Sequence, residues 1–174
     1  GYETYFDEKR NFFIDNSSLF QTPINMFYSR RIGGPLLIDD ERFLSELNTA
    51  VKVIGKNHEG ISFGLIMSES NYNIESLNVN NCIYSNILRI SRNILEGHSY
   101  LGLLGTTYND QINKTETIAL DALINIHDNK LVADGQIAFS NSNANNGFGT
   151  SFEIGYRDKP NKFNDFFENT IVES

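Results

Sequence analysis

Cysteine is nearly absent: Cys82 is the single one among 174 residues, so the chain has no internal disulfide framework and no Cys-based zinc site. His58, His98 and His127 lie far apart and show no metal-ligand spacing. Tryptophan is missing and proline is scarce, while Phe and Tyr raise the aromatic share to 12% and Asn is abundant. That balance favours β-structure joined by polar turns over disorder, which would carry few aromatics. Positive charge is also short. A net charge of -8 excludes the basic footprint that a nucleic-acid partner requires. No run reaches the roughly 18 apolar residues of a membrane helix, and no basic-then-apolar leader is present. The sequence starts at Gly1 rather than Met, and the expectation is a piece of a longer protein. It has no Gly-rich phosphate loop, no nucleophile motif and no metal-ligand motif, so no cofactor and no metal is implied.

What is present is alternation. The length fits one domain. Residues 1–47 form a leading segment with charged motifs, and 48–174 read as successive antiparallel strands. In the stretch Gly60–Glu69, Ile61, Phe63, Leu65 and Met67 face one way, and Ser62, Gly64, Ile66 and Ser68 the other. Similar alternation runs through Asn48–Lys56, Ile83–Asn93, Tyr100–Thr106, Thr117–His127, Lys130–Ser140 and Ser151–Arg157, with Asn86 and Ile87 out of step. This is the period-2 signal of strands with one apolar and one polar face. Tight links are expected at Asn57–Gly60, Leu95–His98 and Asp128–Asn129. Long polar links are expected at Asn71–Asn81, Asn109–Glu116 and Asn141–Gly147. Ahead of these, Asp15–Ser18 reads as a turn or cap, Asn25–Ile32 as a strand, and residues 36–47 as a short helix or a covering loop.

The fold class is therefore all-β, an antiparallel meander of about 7–9 strands. Two architectures bury one face of every strand. A soluble sandwich turns the apolar face inward, and a transmembrane barrel turns it to lipid. Segments of about 9–11 residues, polar groups on the opposite face (Arg89, Asp121, Asn125, Asp134, Gln136, Glu153, Arg157) and Tyr84, Tyr108 and Tyr156 near segment ends lean toward the barrel. A wall of so few strands must close or belong to a larger barrel, because open edges are costly in lipid.

Two aromatic, charged clusters precede the strands. The run Glu3-Thr4-Tyr5-Phe6-Asp7-Glu8-Lys9-Arg10-Asn11-Phe12-Phe13-Ile14 leads to Ser18-Leu19-Phe20 and then to Phe27-Tyr28-Ser29-Arg30-Arg31-Ile32-Gly33. With Ala50–Lys56 and Gly60–Leu65, these motifs resemble an uncharacterised bacterial outer-membrane barrel domain that commonly follows a carbohydrate-binding module family 9-like domain. Asn11 stands where that family usually has Pro. The resemblance covers about residues 3–66. It implies an outer-membrane β-barrel segment of a Gram-negative bacterium, with lipid as its partner and a transport or surface glycan-related role.

Glu8, Arg10, Arg30 and Arg31 are the candidate binding residues in the lumen, because Arg forks grip carboxylate or sulfate. The simpler reading of these groups and Lys9 is a salt-bridge network tying the leading segment to the wall. Asp121, Asp134 and Glu153 could serve as glycosidase carboxylates, but no acid/base motif surrounds them, and lining of a lumen is the simpler reading. No catalytic residue is assigned. The alternatives to a non-enzymatic barrel segment are a soluble glycan-binding sandwich, with the apolar residues packed in a core, or part of a glycan-active hydrolase.

Overall fold

The computed structural model describes residues 8–27, 29, 32–38, 41–74, 79–110, 113–126, 130–143, 145–159 and 162–173. Of residues 35–38, 41–44, 73–74, 79–80, 97, 157–159, 162–168 and 173, the backbone alone is described. One helical turn, α1 (Asn11–Ile14), and a 3-10 turn (Ser17–Phe20) lead into nine strands. These are β1 (Pro35–Ile38), β2 (Glu41–Lys56), β3 (Ile61–Ile74), β4 (Val79–Ile94), β5 (Ser99–Asn109), β6 (Lys114–Ile126), β7 (Leu131–Ser142), β8 (Asn146–Lys159) and β9 (Lys162–Glu173). Each strand pairs antiparallel with the next in chain order, and β2–β9 make one continuous eight-stranded meander. The sheet is open among the described residues, with β9 at one edge and the short β1–β2 hairpin at the other.

The all-β meander agrees with the alternation, but several elements differ from expectation. Among residues 36–47 the described ones are strand, neither helix nor loop. Pro35–Ile38 pairs with Glu41–Leu44, so β2 starts ahead of the expected Asn48. Leu44 and Leu47 stand three apart, the spacing of one helical face, but a bulge between Leu47 and Thr49 resets the strand's parity. Leu47 thereby packs against the core while Val51 and Val53 turn to the opposite face.

No strand forms at Asn25–Ile32 among the described residues. There Ile32 N–H donates to Ser29 O (2.9 Å) in a tight turn, and Phe27 stacks edge-on against Phe20. Gly33 follows at φ +64°, and a Cβ there would fall 2.8 Å from that of Leu47.

The described residues of the three long polar links are mostly strand. Ile74 pairs with Val79, Asn109 with Lys114 and Asn141 with Asn146, so the Asn-rich stretches continue the ladders. Backbone pairing needs no apolar face, which is why hydropathy alternation misses these extensions. β9 was not legible because a bulge at Phe166 breaks its period opposite Ile154–Gly155. The tight turns at Asn57–Gly60 and Leu95–His98 are as read. Asn57 N–H donates to Ile61 O (2.8 Å), and Leu95 and Glu96 take left-handed backbone. The Asp128–Asn129 link and His127 lie outside the described residues.

The core lies on an unusual side. Its buried members are Phe13, Phe20, Ile32, Ile66, Ile87, Leu104, Ala119 and Ala138. The last five come from the polar face of β3–β7, and the first three from the leading segment. Residues 8–34 therefore cover the polar face, which we call the covered face. Ile66 and Ile87, apolar residues on a polar face, form with Leu104 the seat on which the segment rests.

The opposite, bare face holds the large apolar side chains. Phe63, Ile90, Leu120, Ile137 and Ile171 are exposed in one cross-strand register, with Leu103 between Ile90 and Leu120. The next register carries exposed Val53, Leu88, Ile118, Phe139 and Phe148, with Leu65 partly covered. Toward the 110–113 and 143–145 turns the same face becomes polar. Asn86 Nδ2 donates to Thr107 Oγ1 (3.0 Å), and Lys114 pairs with Glu116 (2.6 Å). Tyr84 is exposed at that boundary, and Tyr156 lies toward the other end. Tyr108 differs: strand alternation puts it on the covered face, in register with Ser85.

Candidate functional site

The polar groups of the covered face gather beneath the leading segment. Arg89 on β4 and Asp121 on β6 form a bidentate ion pair across β5, with Nη2 to Oδ2 at 2.7 Å and Nη1 to Oδ1 closing the fork. Both residues are almost completely buried. The strand between them makes this possible at Gly102, whose register neighbours are Ser91 and Asp121. A Cβ at Gly102 would lie 2.4 Å from Arg89 Nη2, so the guanidinium occupies the space a side chain would take. The Tyr100 ring lies 5.9 Å from the guanidinium carbon, at the edge of cation–π range. Arg89 Nε has no hydrogen-bond partner.

Gln136 on β7 is buried in the same register row as Asp121. Its Oε1 accepts from Ile24 N–H (2.6 Å), while Nε2 is unpartnered. On the other side of the segment, Lys52 of β2 donates from Nζ to Phe12 O (2.9 Å) and to Asp15 O. Wall side chains thus hold the segment by its backbone. Between these points Phe20 lies over Gly64, where an added Cβ would come within 2.6 Å of the Phe20 ring.

Of the sequence-derived binding candidates, Glu8 and Arg10 come together and Arg30 and Arg31 lie outside the described residues. Arg10 Nε and Nη2 donate to the two Glu8 carboxylate oxygens (3.0 and 2.8 Å). Arg10 Nη1 and Nη2 also donate to the carbonyls of Ile32 (2.7 Å) and Ser29 (2.9 Å), and Ser29 Oγ donates to Glu8 (2.7 Å). The guanidinium lies 4.3 Å over the Phe13 ring. This cluster clasps the two arms of the segment to each other.

The clasp sets the protonation of Glu8. Its pKa falls from the ordinary 4.5 to about 2, chiefly because the Arg10 guanidinium donates to it. Partial burial opposes that, and the Arg10 N–H and Ser29 hydroxyl add to it. A carboxylate with a depressed folded pKa stabilises above its unfolded value, so the clasp contributes fully above pH 4.5 and is lost as pH falls toward about 2. An environment-sensitive dye on Met26→Cys, in a Cys82→Ser background, is expected to report loosening across that window. Glu8→Gln should flatten the step.

The three carboxylates take different places. Asp121 is committed to Arg89, while Asp134 and Glu153 face each other across β7 and β8 with Glu168 next in register. His58 and His98 are exposed in separate tight turns, and no group of three potential metal ligands occurs among the described residues. No described helix is long and apolar enough to cross a membrane. Sequence reasoning identified Arg89, Asp121 and Gln136 as polar-face residues but missed the pairing, Lys52 and the role of Gly102. A glycine on a strand's polar face, between Tyr100 and Leu104 where a side chain is expected, is the signal that could have found the last. No family model, curated protein or solved structure matches the chain.

Proposed function

We propose that β2–β9 are a section of the wall of an outer-membrane-type β-barrel, with the bare face toward lipid and the covered face toward the lumen. The observation that carries this reading is the inverted distribution of polarity. Leu120, Phe139, Ile118, Leu88 and Ile137 are exposed, while Arg89, Asp121 and Gln136 are buried. A sheet folded for water buries its apolar face, and a membrane barrel does the reverse. On β6 the apolar positions run from Ile118 to Ile126, a span of roughly 26 Å at about 3.3 Å per residue. Tilted as in known barrels, that span is roughly 20 Å tall, close to the ~25 Å apolar band of outer-membrane proteins. Polar extensions of β3–β8 beyond the band fit strands that continue into water.

A transport or surface glycan-related role in a Gram-negative outer membrane rests on the motifs of the leading segment. Lipid is the partner, and no chemistry of its own is assigned. The soluble sandwich has less support, because Leu88 and Ile137 are exposed where it needs them in a core. The hydrolase reading loses Asp121 to its ion pair.

The test is behaviour in water and lipid. The chain is expected to require detergent, to float with phosphatidylethanolamine/phosphatidylglycerol vesicles and to migrate faster on gels before boiling than after. A compact monomer in detergent-free buffer would overturn the reading.

A further inference from the structure

We propose that residues 8–34 are a displaceable stopper over a polar passage for small hydrated cations along the covered face, an inference that rests on the barrel reading above. Among its described residues the segment adds no strand to the sheet. Among the described residues its polar attachments to the wall run through Lys52 and Gln136, which grip its backbone at Phe12 O, Asp15 O and Ile24 N, and through Ser45, which donates to Gly34 O where the segment joins β1. Phe13, Phe20 and Ile32 seat it on the wall's apolar patch. The strongest polar cluster, Glu8–Arg10–Ser29, binds the segment to itself, so it can leave as one body.

The surface beneath it is built for water. It holds the Arg89–Asp121 pair, and Arg89 Nε and Gln136 Nε2 are buried donors without partners. A permanent core would not keep two such groups unsatisfied, since each is penalised while covered and relieved by hydration. The fit is also incomplete: a gap of about 400 Å³ lies where Ile24 and Met26 approach Gly147, Gly149 and Val172. Next to the Asp121–Gln136 row runs a register row of Asn93, Tyr100, Leu123, Asp134, Glu153 and Glu168. Its described side chains include two acids, Asp134 and Glu153, and no base, which favours cations over anions.

The full chain is tested in planar bilayers and vesicles. The native protein should conduct little. Two independent release variants, Lys52→Gln/Gln136→Leu and Gly64→Val (a wedge under Phe20), should each raise the current at least tenfold, with a reversal potential in a KCl gradient near that of K⁺. Ile24→Cys/Gly149→Cys joined by a short bis-maleimide, in the Cys82→Ser background, should return the release variants to the native level. The pair is chosen because a Cβ at Gly149 lies 3.3 Å from Ile24 Cδ1. Release variants that insert and remain heat-modifiable yet stay silent overturn the stopper while leaving the barrel intact. So does a native protein that conducts as they do, and an anion-selective current overturns the cation passage. A chain that never inserts overturns the barrel reading and the stopper together.

Discussion

Replacing Arg89 with methionine is expected to destabilise the fold by about 3–5 kcal/mol, the usual cost of leaving one member of a buried ion pair behind. The size follows from the surroundings. Asp121 is 4% exposed, and Arg89 supplies both hydrogen bonds of the fork. Removing the guanidinium also empties the space over Gly102, where no side chain replaces it. The reverse change, Asp121→Leu, strands the cation and should cost a similar amount. The double variant Arg89→Met/Asp121→Leu should recover most of the loss, since well-packed apolar replacements of buried pairs are often neutral. Unfolding by urea, followed by tyrosine fluorescence in detergent micelles, measures all three. The double-mutant cycle then separates the pair's coupling from the penalty of an orphaned charge. Additive losses in the double variant would mean that the two groups act independently, against the geometry.

How much of this was legible in the sequence depends on what each residue reports. Period-2 alternation told which face each strand residue occupies, because a strand's geometry transmits parity without long-range information. Ile61, Phe63, Leu65 and Met67 fell on one face as read, and so did Ile118 through Ile126. Bulges erase that signal. Near Asn48 and Phe166 one extra residue inverts parity, so residues 36–47 read as a short helix or a covering loop, and β9 was not read at all. The apparent errors in the pattern were informative. Ile87, out of step in β4, is buried because residues 8–34 lie on it, and Asn86 beside it bonds Thr107 on the bare face. What the sequence could not carry is the covering itself. Contacts such as Ile24 to Gln136 link residues 112 positions apart and involve no repeat or spacing. Likewise Arg89 reaches Asp121 diagonally across an intervening strand, a pairing that appears once register and the hole at Gly102 are known.

A positive charge on the bare face is expected to separate lipid from water by the size of its effect. Leu120→Arg and Ile137→Arg occupy neighbouring places in the same register, both widely exposed and inside the apolar band. If that face meets lipid, each should cost about 2–4 kcal/mol near the bilayer midplane, because no water solvates the guanidinium there. If it meets water, exposed substitutions of this kind stay within about 0.5 kcal/mol and would improve solubility by breaking an apolar patch. The polar belt supplies the control. Thr107→Arg lies on the same face beyond the band, where the depth-dependent cost falls to about 0–1 kcal/mol. Folding equilibria in phosphatidylcholine vesicles should therefore rank Thr107→Arg well above Leu120→Arg and Ile137→Arg, with the native chain highest. Salt should change that ranking little, because the penalty is desolvation and not attraction between screened surface charges. Equal stabilities for all three variants would mean that the exposed apolar face meets water and not lipid.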